Sequence, residues 1–400
     1  MIYTKREVME YVENEDVKFI RLAFCDINGV QKNISIMPTE LERAFENGIS
    51  IDASAVEGFK DYANSDLFLF PDPSTLTILP WRPTHGKVVR LFCNIKQLDR
   101  SPFVADCRYI LQQAVAYALE HKIQCNFGSE FEFYLFLNDE NGQRTNIPHD
   151  EAGFMDIAPL DKGENVRREI CLTLEQMDIQ PESSHHEQGP GQHEVDFKYS
   201  DALTAADNAI HFASVVRTVA ARNGLTADFS PKPLEGKSGN GLHINMSAVS
   251  LTGADVKESY MAGIMAHIKE ITAFLNPTEE SYHRLGEKNA PSYITWSSQN
   301  RGQLLRVPES IDHYSKIELR SADCGINPYL AYAALIYAGI DGIENQLTLP
   351  PALDQNISEL DPATLSQYEL LPQSLNEAKI IMKNSDFIKK FFPQELIEKF

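Results

Sequence analysis

Four short segments of the chain alternate apolar and polar residues with a period of two, the spacing of a strand that buries only one face. In Ser129-Glu-Phe-Glu-Phe-Tyr-Leu135 the period sends Glu130, Glu132 and Tyr134 to one side and Phe131, Phe133 and Leu135 to the other. Gly241-Leu-His-Ile-Asn-Met-Ser247 sets His243, Asn245 and Ser247 opposite Leu242, Ile244 and Met246, while Ile317-Glu-Leu-Arg320 puts Glu318 and Arg320 on one face. Ser184-His-His-Glu-Gln-Gly-Pro-Gly-Gln-His-Glu-Val-Asp-Phe197 reads as two strands joined by a Gly189-Pro190-Gly191 turn, which brings Glu187 towards Glu194.

Around these segments the pattern predicts an α+β chain in two parts. Residues 1–100 open with a helix at 5–14, where Val8, Tyr11 and Val12 stand at helical spacing, and a β-rich run from Val17 to Phe24 follows. An Asn28-Gly29 turn comes next, then a helix at 38–48 with Pro38 near its start and Gly48 at its end, and a strand from Lys87 to Ile95 closes the unit. In residues 101–400, Asp106 caps a helix running to about Lys122. Beyond it the polar-faced strands alternate with helices at 164–178, 203–223, 256–275 and 327–345, the third ended by Asn276-Pro277.

Composition narrows the class. A 400-residue chain with 43% hydrophobic residues buries a large core. The formal charge, 36 minus 57 or −21, argues against a nucleic-acid partner, because phosphate recognition starts from a basic surface. The start lacks a long apolar run, and the most apolar stretch, Tyr329 to Ile340, holds three tyrosines and is too short to span a bilayer. The 6 cysteines are scattered without a Cys-x-x-Cys pair, as in a reduced, cytoplasmic, non-membrane protein.

Any one polar strand face is ordinarily a solvated face. Glu130, Glu132, Glu187, Glu194, His243 and Glu318 together, from four separated segments, point instead to divalent metal. Oxygen-rich ligation with a single imidazole and no thiolate favours Mg2+ or Mn2+, and six ligands suffice for two ions, with their sharing left open. Arg284, Arg301, Arg306 and Arg320 crowd into 284–320 and suit clamps on phosphate and carboxylate oxygens. No Gly-rich phosphate loop of either familiar kind is present.

These residues resemble class I glutamine synthetases over almost the whole chain. The resemblance is carried by Ile20-Arg-Leu-Ala-Phe-Cys-Asp-Ile-Asn-Gly29, Ile51-Asp-Ala-Ser-Ala-Val-Glu-Gly-Phe59, Ser129-Glu-Phe-Glu-Phe133 and the 184–197 segment, followed by Pro231-Lys-Pro-Leu234, Gly239-Asn-Gly-Leu-His243, Asn300-Arg301 and Asn327-Pro-Tyr-Leu330. It implies a β-grasp-like N-terminal domain, a catalytic domain with a curved antiparallel sheet, and active sites between neighbouring subunits of a ring. It further implies ATP as co-substrate, one ion on Glu132, Glu187 and Glu194, and a second on Glu130, His243 and Glu318. Glutamate would be held by Gly239, Arg284, Arg301 and Arg320, and the phosphates by Arg306 and Lys316. Ser247 and Phe197 would serve the nucleotide. Asp52 of the adjacent subunit would bind ammonium and remove its proton, and Asp66 would help shape that ammonium pocket.

The same comparison exposes departures. Asn289 precedes Ala-Pro where the family carries a glutamate in a flap over the intermediate, and an amide cannot take a proton. Asp52 then acts alone, or Glu287 substitutes, or the nucleophile is a primary amine or polyamine; a non-catalytic regulatory relative is the remaining alternative. Asp61 stands where relatives carry an arginine tied to feedback inhibition. Asn356-Ile-Ser358 replaces a tyrosine that is adenylylated in some members. The end at Phe400 implies a hexameric ring or a weak dodecamer.

Overall fold

The computed structural model describes residues 3–59, 66–82, 85–287, 289–308 and 316–400, so Asp61 lies outside the described residues. A six-stranded sheet fills the N-terminal part in the order Gln31–Ile36, Val17–Cys25, Lys87–Lys96, Asp66–Pro71, Ile49–Asp52, with Thr77–Ile78 also on Lys87–Lys96. Val17–Cys25 and Lys87–Lys96 run parallel at its centre, the arrangement of a β-grasp. One face buries Ile20, Leu22, Val89 and Leu91 against Val8 and Val12 of the helix Lys5–Asn14 and Leu41 and Ala44 of the helix Leu41–Asn47. The other sends Ala23, Cys25, Val88 and Phe92 into the core of the larger part.

The Asn28-Gly29 turn is keyed to that larger part. The Asp26 carboxylate accepts from the backbone of Asn28 at 3.0 Å and of Val30 at 2.9 Å, shaping a loop longer than a two-residue hairpin. Gly29 has φ +75°, and a Cβ there would lie 2.9 Å from the Cα of Asn327. Asn327 caps the helix Pro328–Glu344 and donates to the Ile27 carbonyl at 3.1 Å.

The larger part is built on a ten-stranded sheet around Ile123–Asn138, in the order Trp296–Ser297, Leu305–Arg306, Ile317–Leu319, Leu242–Ser250, Ile123–Asn138, Gln192–Phe197, Pro181–His186. Its apolar face, with Phe131, Phe133, Leu135, Leu242 and Ile244, packs on the helices Cys107–Glu120, Ala202–Arg222, Lys257–Leu275 and Pro328–Glu344. The last two cross at glycines: a Cβ on Gly263 would stand 2.2 Å from the Ala338 carbonyl oxygen and 2.8 Å from the Cα of Gly342. The helices Leu375–Asn384, Asp386–Phe391 and Gln394–Lys399 complete the core and have no counterpart in the sequence pattern as read. No helix among the described residues is long and apolar enough to cross a membrane.

Candidate active site

With helices on one side, the sheet turns its polar face to the other. Strand pairing sets His243 opposite Glu130, Glu194 opposite Glu132, Asp196 opposite Glu130, and Arg306 opposite Glu318. The result is a cavity of about 690 Å3 lined by Glu130, Glu132, Glu187, Glu194 and His243 together with Gly239, Arg284, Arg301, Arg320 and Asn289.

Each carboxylate has an assigned neighbour. Glu130 accepts from Asn245 Nδ2 at 2.7 Å and lies 3.1 Å from His243 Nδ1. Glu132 accepts from the Gly241 backbone N–H at 2.7 Å and from Gln192 Nε2 at 3.1 Å. Glu318 accepts from Arg306 Nη1 at 2.9 Å and from Arg320 Nη1, and stands 3.8 Å from His243 Nδ1. Donor atoms of Glu130, Glu194 and His243 lie within 4.8 Å of one another, as do those of His185, Glu187 and Glu194. Glu194 thus belongs to both groups, a different sharing from the one the family resemblance implies.

The electrostatics test whether such a set fits cations. Burial pushes the Glu194 carboxyl up, and the charges of Asp196, Glu132, Glu130 and Glu187 push it further, to about 11. Asp196 is raised to about 6 by burial and by Glu130. Glu130 is the exception: burial opposes ionisation, but hydrogen bonds from His243 and Asn245 and the charges of His243 and Arg320 bring it down to about 2. Carboxylates that cannot all ionise beside one another are the donor set that hard divalent cations relieve.

Arg284 ends the helix Glu279–Arg284 and is buried, donating to the carbonyls of Ser321 and Ala322, while its Nε has no partner among the described residues. Gly239 packs on it so closely that a Cβ would lie 2.8 Å from Arg284 Cγ. Arg301 is exposed at the rim, and its carbonyl accepts from Arg320 Nε at 2.7 Å. Arg306 leaves its Nε unpartnered among the described residues, and the Lys316 ammonium lies 4.7 Å over the Tyr199 ring. Asn289 is exposed with φ +67°, a left-handed conformation that asparagine tolerates better than most residues. Glu287, beside it on the cavity wall, is ion-paired with Lys232.

Other sites fall elsewhere. Ser247 sits on Leu242–Ser250 opposite Asn126, outside the cavity lining. The ring of Phe197 is buried in the core, 6.0 Å from that of Phe131 and 5.5 Å from that of Phe212, on the sheet face away from the cavity. Asp52 and Asp66 pair directly across their strands but are exposed on the N-terminal sheet, away from this chain's own cavity. Among the lining residues that went unread, His185 and Asp196 each stand two positions from a candidate ligand and so share its strand parity. Phe154 and Met155 also line the cavity from an irregular segment whose sequence carries no period.

Residues 16–98 match the family model of the glutamine synthetase beta-Grasp domain, and residues 104–400 match that of the glutamine synthetase catalytic domain. Glutamine synthetases from Clostridium saccharobutylicum and Methanosarcina mazei are each 42% identical over 403 residues, spanning 97% of this chain and 91% and 90% of theirs. That of Staphylococcus aureus is 39% identical over 100% of this chain and 93% of its own. Among solved structures, a GmaS/ADP complex aligns with a TM-score of 0.88 at 28% identity, covering 98% of this chain and 93% of that one. Plasmodium falciparum glutamine synthetase shares the fold, with a TM-score of 0.85 at 23% identity over 99% of this chain and 94% of that one. With both parts of the chain matched in order and relatives alike end to end, this chain belongs to the glutamine synthetase family, the glutamate–ammonia ligases.

Proposed function

We propose that this chain forms glutamine from glutamate and ammonia with ATP, through a γ-glutamyl phosphate. The observation that carries the reading is the crowding of buried carboxylates, with Glu194 held up to about 11, against Arg284 and Arg320 on one cavity wall. A carboxylate is a poor electrophile. Attack of the glutamate γ-carboxylate oxygen on the γ-phosphorus of ATP releases ADP and activates the carbonyl; ammonia then displaces inorganic phosphate and loses a proton.

Glu132, Glu187 and Glu194 are read as holding one Mg2+ or Mn2+ and Glu130, His243 and Glu318 a second. Bound there, the cations neutralise the clustered carboxylates and the phosphate oxygens. Arg284, Arg301, Arg320 and Gly239 bind glutamate in this reading, Arg306 and Lys316 the phosphates, and Ser247 with Phe197 the nucleotide. Asp52 and Asp66 serve the cavity of an adjacent subunit, which requires a homo-oligomer, a hexameric ring or a dodecamer. Residues 1–100 and 101–400 are its two domains, and the cytoplasm is its place of action.

A second reading, ligation of a primary amine or polyamine, draws on one feature: Asn289 offers the cavity an amide, and the neighbouring carboxylate of Glu287 is occupied by Lys232. Phosphate release from ATP and glutamate, measured with ammonium, methylamine, ethylamine and polyamines in turn, decides between them. Fastest release with ammonium supports glutamine synthesis. Preference for a larger amine transfers the assignment, and no release with any amine rejects both.

A further inference from the structure

Behind the hairpin that carries Glu187 and Glu194 lies a second group with the look of a metal site. Asp150, Asp161, His186 and His193 are all buried, with donor atoms within 4.8 Å of one another. Their hydrogen bonds assign them another task. Arg167 grips both oxygens of Asp161, at 2.7 and 3.2 Å, and donates to His193 Nδ1 at 2.9 Å, so that ring nitrogen's lone pair is already used. The other nitrogen, Nε2, has no partner among the described residues and lies close against the Gly163 backbone: a Cβ there would stand 2.5 Å from it.

His186 differs, because both of its nitrogens face oxygens. Nε2 lies 2.8 Å from Asp150 Oδ1 and Nδ1 lies 2.7 Å from the Glu187 carbonyl, so the ring donates twice as an imidazolium. Two carboxylates are thereby balanced by Arg167 and His186, and a divalent ion would break that neutrality.

Asp150 is the hub of the group. Its carboxylate also accepts from the backbone of Gly191 at 2.9 Å, Lys162 at 2.9 Å and Ala152 at 3.3 Å. Gly191 belongs to the turn between Glu187 and Glu194. The segment from Ala152 to Lys162 carries Phe154 and Met155, and the Met155 N–H donates to the His186 carbonyl at 2.9 Å.

We propose that the buried Asp150–His186 pair is the positioning element of the cation site: it fixes the Glu187 carbonyl, the Gly191 turn and the Phe154–Met155 wall to one another from behind the sheet. This rests on the reading of Glu187 and Glu194 as cation ligands. The pair never touches substrate, and it acts by holding two carboxylates at a spacing they would not keep by themselves.

The test is Mn2+ binding to the full-length protein, followed by electron paramagnetic resonance, with thermal melting alongside. Asp150→Asn and His186→Asn are expected to weaken one of two Mn2+ positions by about 10–100-fold and to leave the other unchanged. His186→Gln, whose amide reaches the place of Nε2 and restores the bond to Asp150, recovers part of the loss. Asp207→Asn serves as the control, since Asp207 is equally buried in the Arg108 network away from the cavity. It lowers melting without moving Mn2+ affinity. Folded variants that bind Mn2+ as the wild type does, or an equal effect of Asp207→Asn, overturn the proposal; variants that cannot fold overturn it too, because the role is then global stability. A wild type that binds no Mn2+ instead rejects the reading of Glu187 and Glu194.

Discussion

Burial and the neighbouring carboxylates hold the Glu194 carboxyl up to about 11, so if Glu194 ligates a cation it must first lose a proton, and binding is then tied to pH. Mn2+ binding near neutrality should expel about one proton, and affinity should rise about tenfold per pH unit. A flat profile between about pH 6 and 8 would dismiss this account. The folded state with a raised carboxyl carries more protons than the unfolded chain between the ordinary carboxylate pKa and about 11, so cation-free stability falls as pH rises through that window. Glu194→Gln should remove both slopes, raise the melting temperature of the cation-free protein, and abolish ligation; melting curves and phosphate release read the two effects. Much of this site was legible in a period of two, since Glu130, Glu132, His243 and Glu318 all face the cavity or its border. The same parity sets Phe197 with Val195 on the apolar face, away from Glu194 and Asp196, and it also implicates His185, two residues before Glu187. What parity cannot supply is the list of neighbours brought by irregular backbone, such as Phe154.

Among elements, the helices at 164–178, 203–223, 256–275 and 327–345 were legible to within a few residues, because caps and apolar spacing are local properties. The central strand was read too short. Its alternation continues upstream through Ile123, Cys125 and Phe127, and it is this length that lets it pair with five other strands. The crossing of Lys257–Leu275 and Pro328–Glu344 depends on glycines whose reason for being there is tertiary and silent in the sequence. Gly263→Ala should therefore cost about 2–3 kcal/mol by overpacking, seen as a lower melting temperature; an unchanged melt would mean the helices separate freely. A titrating clamp docks the C-terminal helices on this pair. His267 lies between Glu270 and Asp341 and stacks 3.8 Å from Phe387, and Glu270 also accepts from Ser385 at 2.6 Å, at the start of Asp386–Phe391. Burial lowers its pKa, but hydrogen bonds to both carboxylates outweigh that and raise it. A raised histidine stabilises the fold fully below its unfolded value and loses that contribution as pH climbs through the folded one. Melting temperature in the wild type should fall across that alkaline window, and His267→Gln should flatten the decline.

Viewed whole, the subunit lines its own cavity with no acid of the N-terminal sheet among the described residues, since Asp52 and Asp66 lie outside that lining. If adjacent subunits complete one another's sites, two inactive chains should rescue each other. Co-assembly of Asp52→Ala with Glu194→Gln should restore roughly a quarter of the wild-type phosphate release, whereas no recovery would mean each site is complete within one chain. Which face of the N-terminal sheet meets the helices was not legible in the sequence, because that sheet is buried on both sides. Its contact is anchored where Gly29 presses on Asn327 and Asn327 grips the Ile27 carbonyl while capping a buried helix. To swing the small sheet would uncap that helix. Asp52 and Asp66 therefore ride on a stiff arm, and were such subunits to close into a ring, a signal passing round it would travel as tilts of entire protomers, with no bend at the waist of any of them.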